Sequence, residues 1–187
     1  MHETSDFRKN LKILVDGQPY VIVDFQHVKP GKGNQFTRTK LRNLITGSNL
    51  DRTFKSGEKF EVPDVSTADA QFLYKDDNGF HFMNKNDYET LQISPEDCGE
   101  SKNYLIENID VTLLFYNGRV IGIDVPNAVN LKVAKADPGV KGDRVTGATK
   151  SATMETGLVL SVPLHINEGD TLRVDTRTGL YVERVNK

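Results

Sequence analysis

The feature that most constrains this chain is a recurrence of short runs rich in Val, Ile, Phe, Tyr and Thr roughly every 8 to 12 residues, with turn-forming dipeptides between them. An amphipathic helix needs apolar residues three and four apart over ten or more positions, and that pattern is almost absent. The runs predict strands at 11–15, 20–25, 36–44, 53–62 in two pieces, 70–75, 79–83, 111–116, 119–125, 130–136, 158–162, 171–175 and 181–185. Asp16-Gly17, Asn78-Gly79, Asn117-Gly118 and Thr178-Gly179 fall between runs. Such pairs supply the positive φ that tight hairpins require, so each predicts a β-hairpin. Helical turns are expected only at 87–91 and 95–104. The chain is expected to be all-β.

Charge divides it further. Lys and Arg outnumber Asp and Glu by 11 to 8 in residues 1–64, are outnumbered 4 to 11 in 65–128, and lead by 9 to 7 in 129–187. Blocks this small can fold alone as closed barrels, which also removes exposed strand edges. The expectation is three tandem small β-barrels, 1–64, 65–128 and 129–187, with junctions at Pro63-Asp64 and Pro126-Asn127, where proline interrupts a strand pattern. Nothing of low complexity separates them, so a semi-rigid rod is expected. The acidic middle block disfavours a molecule coated by nucleic acid along its whole length, because phosphate binding scales with the cations placed near it.

No run approaches the roughly 20 apolar residues of a membrane helix, and the first residues hold no apolar segment resembling a signal peptide. With the lone Cys98 unable to form an internal disulfide, a cytoplasmic protein without membrane contact is expected. His2, His27, His81 and His165 make no metal-binding spacing. The chain has no Gly-x-Ser-x-Gly elbow and no Cys/His pair at a known spacing; acids such as Asp76-Asp77 read as solvated turns. No enzyme, no metal and no cofactor are expected.

Two constellations in the first block carry chemistry. Lys29-Pro30-Gly31-Lys32-Gly33 lies between two strands, where proline and two glycines shape a tight loop with Lys32 at its tip. A solubilising lysine at an ordinary turn would leave the same trace; a P-loop would need Ser or Thr after Lys32. In Phe36-Thr37-Arg38-Thr39-Lys40-Leu41-Arg42, alternation places Arg38, Lys40 and Arg42 on one face. With Lys29 they suit RNA phosphates, although charges protecting an edge strand would look alike. A third segment, 137–157, is rich in glycine and small hydroxyl residues and reads as a long functional loop.

The order of these residues resembles bacterial elongation factor P over essentially the whole chain. The Lys29 to Gly33 loop and Lys40-Leu41-Arg42-Asn43-Leu44 match its first domain; Gly142-Asp143, Gly147-Ala148-Thr149-Lys150, Glu155-Thr156-Gly157 and Val174-Asp175-Thr176-Arg177-Thr178-Gly179 are more diagnostic. The resemblance implies an SH3-like barrel of the KOW type followed by two OB-fold barrels. It implies a monomer binding both ribosomal subunits between the exit and peptidyl sites, contacting peptidyl-tRNA and relieving stalling at consecutive prolines. By position, Lys32 matches the loop-tip residue that a lysine-modifying enzyme extends covalently, with Pro30, Gly31 and Gly33 shaping the loop. Gly142 and Asp143 match a loop facing the small subunit and codon, where Arg144 replaces the usual threonine, and Val125-Pro126 stands where Pro-Pro is common. A paralogue of that factor, or a generic OB-fold single-strand binder, would share parts of the pattern; the latter needs aromatic platforms in basic grooves, and tryptophan is absent.

Overall fold

The computed structural model describes residues 1–139 and 147–185, and its regular structure is mostly antiparallel strands. In chain order they are β1 (His2–Glu3), β2 (Lys12–Val15), β3 (Gln18–Val28), β4 (Phe36–Asn43), β5 (Asn49–Lys55), β6 (Lys59–Phe60), β7 (Val65–Asp76), β8 (Gly79–Asn84), β9 (Thr90–Ile93), β10 (Asp110–Tyr116), β11 (Arg119–Asp124), β12 (Ala128–Ala136), β13 (Thr149–Met154), β14 (Val159–Pro163), β15 (Thr171–Asp175) and β16 (Leu180–Val185). One short helix, α1 (Pro95–Cys98), and 3-10 turns at Thr4–Asp6 and Gly99–Tyr104 interrupt them. The larger sheets run β2-β3-β4-β5, β11-β10-β7-β8-β9 and β14-β13-β12-β15-β16, and β1 pairs with β6. Packing divides the chain into two compact units, Met1–Ser66 with Phe115–Gly122, and Thr67–Leu114 with Ile123–Lys187.

In the first unit the core is Phe7, Leu11, Ile13, Val15, Ile22, Leu41, Phe54 and Phe60. Phe7, Phe54 and Phe60 form a triangle with ring centres 4.7 to 6.0 Å apart, edge-on or tilted, the arrangement the ring quadrupole favours. β4 shows the half-buried alternation in full: Thr37, Thr39, Leu41 and Asn43 are buried, while Arg38, Lys40 and Arg42 are exposed. Buried Asn43 closes the β4–β5 turn, its Oδ1 accepting from the amides of Ile45 and Thr46 at 2.8 and 3.0 Å.

The second unit holds two apolar clusters. One includes Phe72, Phe80 and Phe82. The other comprises Val129, Leu131, Val133, Ala152, Met154, Leu160, Val162, Ile166, Leu172 and Val174, and Tyr104 from the 3-10 turn belongs to it. Residues on either side of position 128 therefore share one core. Thr156 Oγ1 donating to the Asn103 carbonyl at 2.6 Å, and Thr176 Oγ1 to that of Pro126 at 2.6 Å, tie the same segments.

Local expectations are corrected at five places. Residues 87–91 form no helical turn: the Asp87 carboxylate accepts from the Glu89 amide at 2.9 Å, Tyr88 takes φ 62°, and β9 begins at Thr90. Within 137–157, Thr149–Met154 is a strand, with Ala152 and Met154 buried on one face; its small hydroxyl residues hid the alternation. Asp16-Gly17 and Asn117-Gly118 are two-residue turns with positive φ throughout, but Asp77-Asn78 occupies the β7–β8 turn. Gly79 already belongs to β8, and a Cβ there would stand 2.5 Å from the Ile93 carbonyl oxygen. Thr178-Gly179 is the end of a longer turn over 176–179. Finally, β4 lies between β3 and β5, so its cations protect no edge.

Candidate functional site

The Lys32 loop spans 29–35 and joins β3 to β4. The two strands pair up to its foot, His27 opposite Thr37 and Val28 opposite Phe36. Lys29 to Gln35 are all exposed, so the ammonium of Lys32 projects from the end of a hairpin. Gly33 has φ 131°, which a side chain would strain, and its missing Cβ would touch Pro30 Cγ at 3.7 Å. Gly31 is different: its φ lies outside the left-handed region and a Cβ there would meet nothing within 4 Å. Of the two loop glycines, only Gly33 is required by the backbone of the free chain.

From the loop, the exposed face of β4 runs Phe36, Arg38, Lys40, Arg42. Arg38 Cζ lies 5.7 Å from the Phe36 ring centre, a cation–π contact that orients the guanidinium. Cross-strand neighbours grade the row. Arg38 faces Gln26 and Thr53, both neutral, whereas Lys40 faces Asp24 on β3 and Asp51 on β5. Asp24 is also 3.4 Å from Lys9 Nζ. Arg38 and Arg42 therefore carry positive charge with no acid across from them, while Lys40 between them stands opposite two acids. A shallow groove of about 310 Å³ passes among Asp24, Gln26, Arg38, Lys40, Asp51 and Thr53. The sequence reading missed these acids, because register is needed to see them, and it missed Lys55, opposite Phe36 on β5. Arg52 is held by Asp16, whose hydrogen bond and charge push the guanidinium further above its usual range.

The structure thus brings Lys29, Pro30, Gly31, Lys32 and Gly33 onto one loop, and Arg38, Lys40 and Arg42 onto the strand that follows it. Gly142, Asp143 and Arg144 lie outside the described residues. The diagnostic run Val174 to Gly179 has a structural reason. Arg177 grips the Asp175 carboxylate from its side chain at 2.7 and 3.1 Å and from its amide at 2.8 Å, holding that carboxyl down at about 2. Gly179 leaves room for Tyr104, whose hydroxyl would be 3.2 Å from a Cβ. Among the described residues no three His, Cys, Asp or Glu groups are placed to hold a metal ion. Burial pushes the Cys98 thiol up to about 11, which keeps it protonated and a poor nucleophile at neutral pH. No helix among the described residues is long and apolar enough to cross a membrane.

Comparison with known proteins agrees along the chain. Residues 3–60 match the model of the elongation factor P KOW-like domain, 65–123 that of the elongation factor P OB domain, and 129–184 that of the elongation factor P C-terminal domain. The chain is 68% identical over 187 residues to elongation factor P of Bdellovibrio bacteriovorus, with 100% of both chains covered. It is 51% identical to that of Maridesulfovibrio salexigens, covering 98% of this chain and 99% of the relative. Its fold resembles translation initiation factor 5A from Methanococcus jannaschii, with a TM-score of 0.50 at 22% identity over 65% of this chain and 94% of the other. A family member from Naegleria fowleri gives a TM-score of 0.54 at 15% identity, over 66% and 96%.

Proposed function

The chain belongs to the elongation factor P family and is a translation elongation factor that interacts with the ribosome; from that premise we propose that it binds between the exit and peptidyl sites and uses Lys32 to position the end of peptidyl-tRNA. The observation that carries this reading is an exposed lysine at the end of a hairpin, followed directly by a strand with cations on its outer face. Proline is a constrained secondary amine and a poor partner in peptide-bond formation, so placement of the reacting ends limits the rate at consecutive prolines. Holding one end in place lowers the barrier through orientation and needs no acid, base or nucleophile from the factor.

Arg38 and Arg42, aided by Lys29 and Lys40, bind RNA phosphates, while Gly142, Asp143 and Arg144 face the small subunit. In this reading the chain carries three domains, 1–64, 65–128 and 129–187, that order these parts along it. Lys32 is the site of covalent extension by a lysine-modifying enzyme; intact-mass and peptide mass spectrometry of protein from its native host tests this, and an unextended Lys32 would contradict it. The functional test is translation of a message with consecutive prolines beside a proline-free control, with and without the factor. Selective acceleration of the first is expected. Equal effects on both messages would overturn the reading.

A further inference from the structure

We propose that His27 is the positioning residue that aims the Lys32 loop, acting through its hydrogen bond to Thr37; this rests on the reading of Lys32 as a positioning arm. The loop does little to hold itself. Among the described residues, none from Pro30 to Asn34 makes a hydrogen bond or ion pair. A loop without internal ties leaves the sheet in the direction its last paired residues dictate, and those are His27 with Thr37 and Val28 with Phe36.

The two sides of that foot are not equally secured. β4 is paired on both sides to its first residue, since Phe36 lies between Val28 and Lys55. β3 is paired with β2 only over Gln18 to Val21, so its last residues are laddered to β4 alone. A second tie is needed there, and His27 supplies it: Nδ1 and Thr37 Oγ1 share a hydrogen bond of 2.8 Å. Thr37 is 2% exposed and therefore fixed. The Phe25 ring stands edge-on to the imidazole at 5.3 Å and 69°, which limits its rotation. Thr39, next along the same face, is also buried, and its hydroxyl has no partner, so it makes no bond to Thr37 alongside that of His27.

The test compares His27→Ala, Thr37→Val and His27→Asn in translation of the consecutive-proline message, at several factor concentrations. Asparagine can place an amide near the Nδ1 position and donate or accept there, whereas valine matches the shape of Thr37 and leaves no orphaned hydroxyl. His27→Ala and Thr37→Val are each expected to lower the rate at saturating factor by about ten-fold, part of the roughly hundred-fold that an ångström of misplacement can cost. The concentration giving half effect should not change, because neither side chain belongs to the cationic row, and His27→Asn should keep most of the rate. A benign Thr37→Val beside a damaging His27→Ala would mean that only the stranded hydroxyl matters and would overturn the proposal, as would failure of His27→Asn. Backbone NMR order parameters at Gly31 and Gly33 in the free protein give an independent readout and should fall in both damaging variants. Unchanged order parameters also overturn the proposal. If they fall while Lys32→Ala keeps full activity, the aiming role stands and the functional reading of Lys32 falls.

Discussion

Reversing Arg38 and Arg42 to Glu together is the perturbation that separates binding from folding. Both side chains are exposed on the outer face of β4 and face no acid across the strands, so the native fold gains little from them. The stability cost is confined to the Arg38 contact with Phe36, about 0.5–1 kcal/mol, or a melting-temperature drop of about 1–4 °C for a chain this size. Binding loses far more. Two phosphate contacts are worth about 3 kcal/mol, roughly a hundred-fold in affinity, and their loss lowers the slope of log K against log salt by about 1.5. The grading of the row adds an internal control. Lys40→Ala should change the slope by less than half as much as Arg38→Ala or Arg42→Ala, because the charges of Asp24 and Asp51 across the strands offset the field of Lys40. The assay is ribosome binding across a salt titration, with circular dichroism melting alongside. An unchanged slope in the double reversal would refute the phosphate contacts, and equal slopes for all three single alanine variants would refute the grading.

Gly79→Ala should cost about 3 kcal/mol in chemical denaturation, from positive φ and collision with the Ile93 carbonyl, whereas Gly31→Ala should leave stability unchanged or slightly raised; equal costs would contradict the geometry. Tyr104→Ala, which removes a ring from the core of Val129 to Val174, should cost about 3–5 kcal/mol by the same measurement, and a loss under about 1 kcal/mol would show that the ring does not anchor there. Because Arg177 holds the Asp175 carboxyl at about 2, below its unfolded value, the pair stabilises fully above the unfolded carboxylate range and the benefit is lost as pH falls through about 2. An NMR titration should show that midpoint in the native chain and a higher one in Arg177→Ala; an unmoved midpoint would remove Arg177 as the cause.

Strand periodicity made the all-β fold legible, because alternation in runs such as Phe36 to Arg42 survives any tertiary context. The sequence was less informative where a residue's role depends on a distant neighbour. Gly79 reads as a turn glycine until the Ile93 carbonyl is seen against it, and Lys40 reads as free until register sets Asp24 and Asp51 beside it. Thr149–Met154 was hidden because Ser, Thr and Ala serve loops and strands alike, and burial of Ala152 and Met154 decides the matter. The shared core around Tyr104 was illegible for the same reason: a chain-order charge boundary near 128 says nothing about which side chains pack across it. The Lys32 loop, by contrast, was readable from its proline and glycines, although only Gly33 turns out to need its conformational freedom.

Whether Lys32 acts by placement is read from the rate of peptide-bond formation between consecutive prolines on ribosomes saturated with wild-type or Lys32→Ala factor. The side chain is exposed and makes no hydrogen bond or ion pair among the described residues, so the variant should melt and bind as the wild type does. Lys32→Ala should lose about ten-fold or more in the proline-dependent rate, with no change on a proline-free message. A wild-type rate from the alanine variant would contradict it.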